Sequence, residues 1–366
     1  MKTFLTIAAL IATGSAAIAQ NDSIKVLPQP EVAGLKLSAY IETYYAYDFN
    51  EPVNNTRPAF FYSHNRHNEV ALNLGFIKTA YDNGQVRANL ALMAGTYANA
   101  NLSAEPGVMK NVYEANAGVK VSKTANLWVD AGIFGSHIGF ESAVGKDCWS
   151  LTRSMLADNS PYYESGAKLS YTSPSGKWFL SGLVLNGWQR IQRPDGNKSL
   201  SVGHQLTYKP SDKVTLNSSS FVGNTFPNED KRMRYFHNFY GIFQLTDKWG
   251  LITGFDIGAE QKAKGSESYS CWYSPVVIAR YSVNSKINLS ARGEYYADKY
   301  GVIIPTGTPN GFKTMGYSVN FDYNMYSNVV WRVEARTLNS KDDIFVNNAN
   351  LRATDTFVTT ALAISF

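Results

Sequence analysis

The sequence predicts an all-β chain that closes into a transmembrane antiparallel β-barrel of about sixteen strands. Three observations carry this. The last segment, Phe357 to Phe366, alternates: Val358, Thr360, Leu362, Ile364 and Phe366 share one face, and Thr359, Ala361, Ala363 and Ser365 share the other. A closing strand with an apolar face for lipid, a small polar face for a lumen and a terminal aromatic suits a barrel. Tight and long breaks take turns along the chain, as hairpin turns and surface loops do in such barrels. Composition agrees: 44% of residues are hydrophobic, 13% aromatic and 17% charged, with 23 tyrosines. That balance matches a lipid-facing surface with aromatic girdles.

The elements follow in order. Residues 1–19 read as a secretory signal, with Lys2 as the charged end, Phe4 to Ile11 as the apolar run and Ala17-Ile18-Ala19 as the cleavage site. Residues 20–34, with Pro28 and Pro30, read as a periplasmic lead-in, and 35–366 as the barrel. After residue 19 no apolar stretch reaches the length of a spanning helix.

Leu35, Leu37, Ala39 and Ile41 alternate with Lys36, Ser38, Tyr40 and Glu42. Val70, Leu72, Leu74 and Phe76 oppose Glu69, Ala71, Asn73 and Gly75. Val86, Ala88, Leu90 and Leu92 oppose Arg87, Asn89 and Ala91. Ile287, Leu289 and Ala291 oppose Asn288, Ser290 and Arg292, and Val329, Trp331, Val333 and Ala335 oppose Arg332, Glu334 and Arg336. A slip of one residue would put these charges into lipid, so the register is well specified. The segments Trp178–Asn186 and Tyr235–Gln244 do not reveal which face points inward. Seven tight turns, such as Asp82-Asn83-Gly84 and Thr246-Asp247-Lys248, alternate with eight long loops, which gives the even strand number.

Two stretches carry a resemblance. Gly34-Leu35-Lys36-Leu37-Ser38-Ala39-Tyr40-Ile41-Glu42-Thr43-Tyr44-Tyr45 is the first. Ala131-Gly132-Ile133-Phe134-Gly135-Ser136-His137-Ile138-Gly139-Phe140-Glu141, with Ser154 and Pro161-Tyr162-Tyr163-Glu164-Ser165-Gly166-Ala167 after it, is the second. Together they resemble the β-barrel porin-2 (OmpL-like) family over nearly the whole mature chain. The resemblance implies a porin in the cell outer membrane, with no catalytic residues to transfer.

Sixteen strands would leave a water-filled lumen whose lining sets selectivity. The third loop, 136–160, is the longest, and by analogy with porins it is expected to fold inward and constrict the pore. Its stretch Asp147 to Leu156 is expected to form a short helix stopped by Asn159-Ser160-Pro161. Glu141, Lys146, Asp147, Arg153 and Asp158 are then the loop charges at the constriction. The wall supplies Arg87, Arg280, Arg292, Glu294, Arg332, Glu334 and Arg336 as pore-lining residues. Residues two apart on a strand share a face, so Arg292 with Glu294, and Arg332 with Glu334 and Arg336, form a charge ladder. Its arginine excess points to a weak anion preference, blunted by inward Glu42, Glu114, Asp130, Glu164, Asp256 and Asp322.

Cys148 and Cys271 both fall on the outer side and could bridge or stay free, since spacing does not fix disulfide geometry. His64 and His67 read as parts of a solvated loop, and no metal or cofactor is expected. His137, His204 and His237 are isolated in sequence. Basic residues are scattered singly, so no nucleic-acid partner is expected. The formal net charge is +5. The expected partners are outer-membrane lipids and lipopolysaccharide, small hydrophilic solutes, the barrel-assembly machinery and a homo-oligomer such as a trimer. A diffusion porin is the first reading, a plugged barrel serving a structural or surface role the second, and a barrel enzyme is disfavoured for want of a catalytic motif.

Overall fold

The computed structural model describes residues 33–348 and 350–366. The expected signal segment and residues 20–32 of the lead-in lie outside the described residues. Alternating residues pleat into eighteen strands, since each has one face to bury. They are β1 (Leu35–Asp48), β2 (Val70–Asp82), β3 (Val86–Ala94), β4 (Val112–Lys120), β5 (Asn126–Gly135) and β6 (Tyr163–Thr172). Then come β7 (Trp178–Leu185), β8 (Ser201–Ser211), β9 (Val214–Asn224), β10 (Met233–Gln244), β11 (Trp249–Gln261) and β12 (Tyr269–Ser282). The last are β13 (Ile287–Asp298), β14 (Phe312–Tyr326), β15 (Val329–Ser340), β16 (Phe345–Asn347), β17 (Asn350–Arg352) and β18 (Thr354–Ser365). Strands β16 and β17 form a small hairpin within the eighth long loop, and the second long loop carries helix α1 (Thr96–Asn101). The other sixteen close into one antiparallel barrel in which β18 pairs with both β15 and β1. Closure leaves no strand edge unpaired, which a sheet in lipid requires.

The tight breaks are hairpin turns. At the first, Gly84 adopts a φ of 81°, and its N–H donates to the Asp82 carboxylate at 2.7 Å. The seam between β1 and β18 runs from Tyr40 opposite Ser365 to Asp48 opposite Phe357. Leu37, Ile41, Leu90, Leu92, Val277, Val319 and Leu362 are exposed on the outside of the sheet. Leaving them uncovered by protein suits a hydrocarbon surround.

The faces of β1, β3, β13, β15 and β18 match the alternation in the sequence. Strand β2 departs from it. A bulge there sets Glu42 opposite Leu74 and Thr43 opposite Leu72. The extra residue, Asn73, turns inward beside Leu74, and from there the faces swap. Phe76 consequently stacks inside against Tyr113, with ring centroids 4.8 Å apart, while Ile77 is exposed.

The ambiguous strands resolve as β7, with Leu183 and Leu185 inward, and β10, with Arg234, Phe236 and Asn238 inward. Both carry apolar residues on the lumen side too. With Phe221, Trp272, Tyr296, Phe312, Leu338 and Phe357 they form a buried cluster inside the barrel at the end that bears the long loops. Phe61, Ile138, Met155 and Phe345 from the loops pack into it. The expected water-filled lumen therefore carries an apolar core at this end.

Candidate functional site: the third loop and the lumen wall

Loop residues 136–162 leave β5 and lie against the inward faces of β10 to β15, β18 and β1. The predicted single helix is instead two short pieces: a 3-10 turn, Gly145–Asp147, and helix α2, Met155–Asp158. Ser154 caps α2 by accepting the Ala157 N–H. The residues between cannot coil, because their backbone groups bond the wall. The Leu151 N–H donates to Asn320 at 3.1 Å, the Thr152 N–H to Glu334 at 2.5 Å and the Met155 N–H to Glu294 at 2.6 Å. In return Arg292 donates to the Thr152 carbonyl at 2.6 Å, Arg336 to that of Arg153 at 2.9 Å, and Arg332 to those of Gly145 at 2.6 Å and Cys148 at 3.0 Å.

Small residues on β11 make room for the loop's aromatics. A side chain at Gly250 would collide with Trp149, and one at Gly254 with Phe140.

The charge ladder is therefore real but dry. Arg292 bridges Glu294 at 3.1 Å and Glu334 at 2.9 Å, and Arg336 reaches Glu294 at 2.6 Å. Arg332 holds Asp322 through a two-pronged contact at 2.6 and 2.9 Å. All five ladder residues are at most 3% exposed. Charges buried this way must be paired and hydrogen-bonded, and here the loop completes the pairing. The expectation that Arg292, Glu294, Arg332, Glu334 and Arg336 line open water is corrected: they are a docking platform.

The loop charges divide. Arg153 is fully buried and folds the loop on itself, donating to the carbonyls of Ser142, Leu151 and Ala143. Glu141 accepts the Ser154 N–H at 3.0 Å and the Ser154 hydroxyl. Asp158 is buried, and burial raises its carboxyl to about 7, although Arg336 and Arg153 draw it down. None of these three meets open solvent as predicted. Lys146 and Asp147 are exposed, and the Lys146 ammonium donates to Ser365 at 2.5 Å.

The wetter wall is opposite, on β2 to β6 near the short turns. Lys78 pairs with Glu114 at 2.6 Å, with the two 26% and 19% exposed. Arg87 grips Asp130 through two contacts at 2.7 and 2.5 Å and lies 4.3 Å over the Trp128 ring. Lys168 is half-buried, 4.7 Å over Phe134. On the docked side, Arg280 of β12 is also half-buried and covers Trp149 of the loop at 4.3 Å. A cavity of about 180 Å³ separates the loop at Glu141 and Ala143 from Met93, Tyr97 and Tyr113. A second, of about 790 Å³, opens among the first, seventh and eighth loops, lined by Phe60, Tyr62, Ile304 and Phe345 with Asp48 and Arg57.

A second anchor escaped the sequence reading. His64 and His67 are buried, not solvated. His64 Nε2 lies 2.8 Å from Glu42 Oε1, Asn73 at the β2 bulge donates to the same oxygen at 2.7 Å, and Tyr40 donates to the other at 2.6 Å. Burial lowers the His64 pKa, against the pull of Glu42. His67 accepts the Asp48 N–H at 2.9 Å. Among the described residues no cluster suits a metal.

The cysteines do not bridge. Both are free, Cys148 buried under Arg332 and Cys271 exposed on the outer face of β12. The barrel wall stands between them.

Comparison with known proteins places this geometry. None of the curated proteins matches in sequence. Among solved structures, the anion-selective porin from Comamonas acidovorans is similar with a TM-score of 0.59 at 9% identity, covering 91% of this chain and 99% of that one. The outer membrane channel DcaP of Acinetobacter baumannii gives 0.60 at 10%, covering 91% and 97%. OmpT of Vibrio cholerae in its trimer form gives 0.56 at 8%, covering 91% and 99%. These likenesses are of fold alone. The family described as "Putative beta-barrel porin-2, OmpL-like" matches residues 34–366, nearly the whole chain. The chain belongs to that family of outer-membrane porins.

Proposed function

We propose that the protein lets small hydrophilic solutes and ions diffuse passively through a lumen narrowed by its third loop. The observation that carries this is the loop's docking on the β13–β15 wall, which leaves the wet charges on one side only. The path then runs beside β2 to β6. There Lys78, Arg87 and Lys168 outnumber Glu114 and Asp130, three cations to two carboxylates, which supports a weak anion preference. These residues, rather than the ladder, are the proposed lining, with Lys146 and Asp147 facing them from the loop.

The reading is of a channel without catalytic chemistry. A homo-oligomer fits the trimer form of the Vibrio cholerae protein, and lipids, lipopolysaccharide and the barrel-assembly machinery remain the proposed surroundings. The test is conductance and reversal potential of the refolded barrel in a planar bilayer under a KCl gradient. Small steps with a reversal potential displaced toward chloride support it.

The buried aromatic cluster at the long-loop end favours a second reading, a barrel whose resting state is closed. Folded barrels that never conduct would select it.

A further inference from the structure

We infer that the outer face of β8, β9 and β10 is where a second copy of this chain packs. The observation is an island of polar side chains on the lipid side of the sheet. His204, Ser218, Ser220 and His237 all point outward. Strand pairing sets Gly182, His204, Ser220 and His237 in one row across β7 to β10. His204 Nδ1 lies 2.5 Å from the Ser220 hydroxyl, His237 Nε2 lies 2.9 Å from that of Ser218, and the two rings are 5.6 Å apart.

Apolar residues surround the island along the strands. Val202, Val222 and Tyr235 lie toward the long loops, and Leu206, Leu216 and Phe239 toward the short turns. Tyr208, four residues from His204 on β8, stacks with Trp178 in the lower aromatic band. At about 3.3 Å per residue, His204 sits roughly 13 Å above that band, inside an apolar belt about 25 Å tall.

Acyl chains offer no hydrogen bonds, and polar groups facing them are costly. Outward Thr360, Thr337 and Thr356 are satisfied within the sheet: Thr360 donates to the Arg332 carbonyl, and Thr337 pairs with Thr356. The island differs. Each histidine has one ring nitrogen on a serine and its other nitrogen without a partner among the described residues.

The chemistry points to a second copy as the occupant. A neutral imidazole and a hydroxyl each both donate and accept, so the patch complements itself across a symmetry axis. A side chain at Gly182 would meet nothing within 4 Å, so the row begins with a notch that admits another backbone closely. Small residues beside hydrogen-bonding ones are how spanning segments associate.

The test is cysteine crosslinking of the full chain in outer membranes, in a Cys271→Ser background. Ser220→Cys should give a dimer band of twice the chain mass, and Val319→Cys, outward on β14 five strands round the barrel from β9, should give at least tenfold less. Folding of each variant is checked by heat-modifiable migration. Combined His204→Leu and His237→Leu should then reduce the Ser220→Cys product at least tenfold in barrels that still fold. Equal crosslinking at Val319, no product at Ser220, or a product with a different protein would overturn the inference. Conductance per barrel is unaffected by any of these outcomes, so failure here is separable from failure of the channel reading.

Discussion

Two walls of one lumen use the same residue types differently. On β13 to β15, arginines and glutamates two apart are sealed under the third loop, where every charge meets a partner on the wall or on the loop backbone. On β2 to β6, Lys78, Arg87, Glu114, Asp130 and Lys168 form simpler pairs, and several keep contact with water. The first set fixes a loop in place. The second is left to meet solutes. Spacing along a strand reports which face a charge occupies, and what covers that face is decided by a loop more than a hundred residues away.

The largest way to break the contrast is Arg292→Ala. It leaves Glu294, Glu334 and Glu141 short of their shared cation in a dry site, and losing one partner of a buried pair costs about 3–5 kcal/mol. The denaturation midpoint should fall, and protease should cut within residues 142–158. Lys78→Ala, by contrast, removes a partly exposed pair worth about 0.2–1 kcal/mol, so its midpoint should hardly move.

Thiol labelling sharpens the same point. Burial pushes the Cys148 thiol up, against the pull of Arg153 and Arg332, and hides it, so it should be inert in the folded wild type and reactive after Arg292→Ala. Cys271 should react only with reagents that partition into lipid.

Selectivity separates the walls more gently. Lys78→Gln with Lys168→Gln removes two of the three cations on the β2–β6 wall and should move the reversal potential away from chloride. Arg336→Gln, on the docked wall, should change gating and stability without moving the potential of whatever open state remains.

The smallest effect is a pair of opposed pH responses in two loops. Asp158 titrates at about 7 in the fold, above its ordinary value of 3.8, so the unfolded chain holds fewer protons. Its contribution is fully present below about pH 4 and is lost as pH rises through about 7. His64 is shifted down by burial, so the unfolded chain holds more protons, and its contribution is present above about pH 6.5 and lost on acidification. Hydrogen exchange in α2 should rise with pH, and exchange near His64 should rise as pH falls.

Much of the barrel was legible because lipid imposes strict alternation on β1, β3, β13, β15 and β18. On β2 the alternation in the sequence matches the faces only as far as Asn73, since nothing in Val70 to Phe76 announces a bulge. Strands β7 and β10 resisted because an apolar residue for lipid and one for a packed interior look alike. That ambiguity was itself the signal of the aromatic cluster, as Leu183, Leu185 and Phe236 turned out to be members. The loop was legible as long and charged. Its backbone bonds to Glu294, Glu334 and Asn320 depend on distant strands meeting in space, which no local pattern encodes. His64 and His67 looked solvated for the same reason.

A path whose width is set by the docked third loop must widen when that loop is removed. The most direct test is single-channel conductance after residues 142–157 are replaced by a short Gly-Ser linker, in barrels shown to be folded. A several-fold larger conductance with weaker ion preference is predicted. Conductance equal to that of the intact chain would contradict it and place the constriction in the aromatic cluster instead.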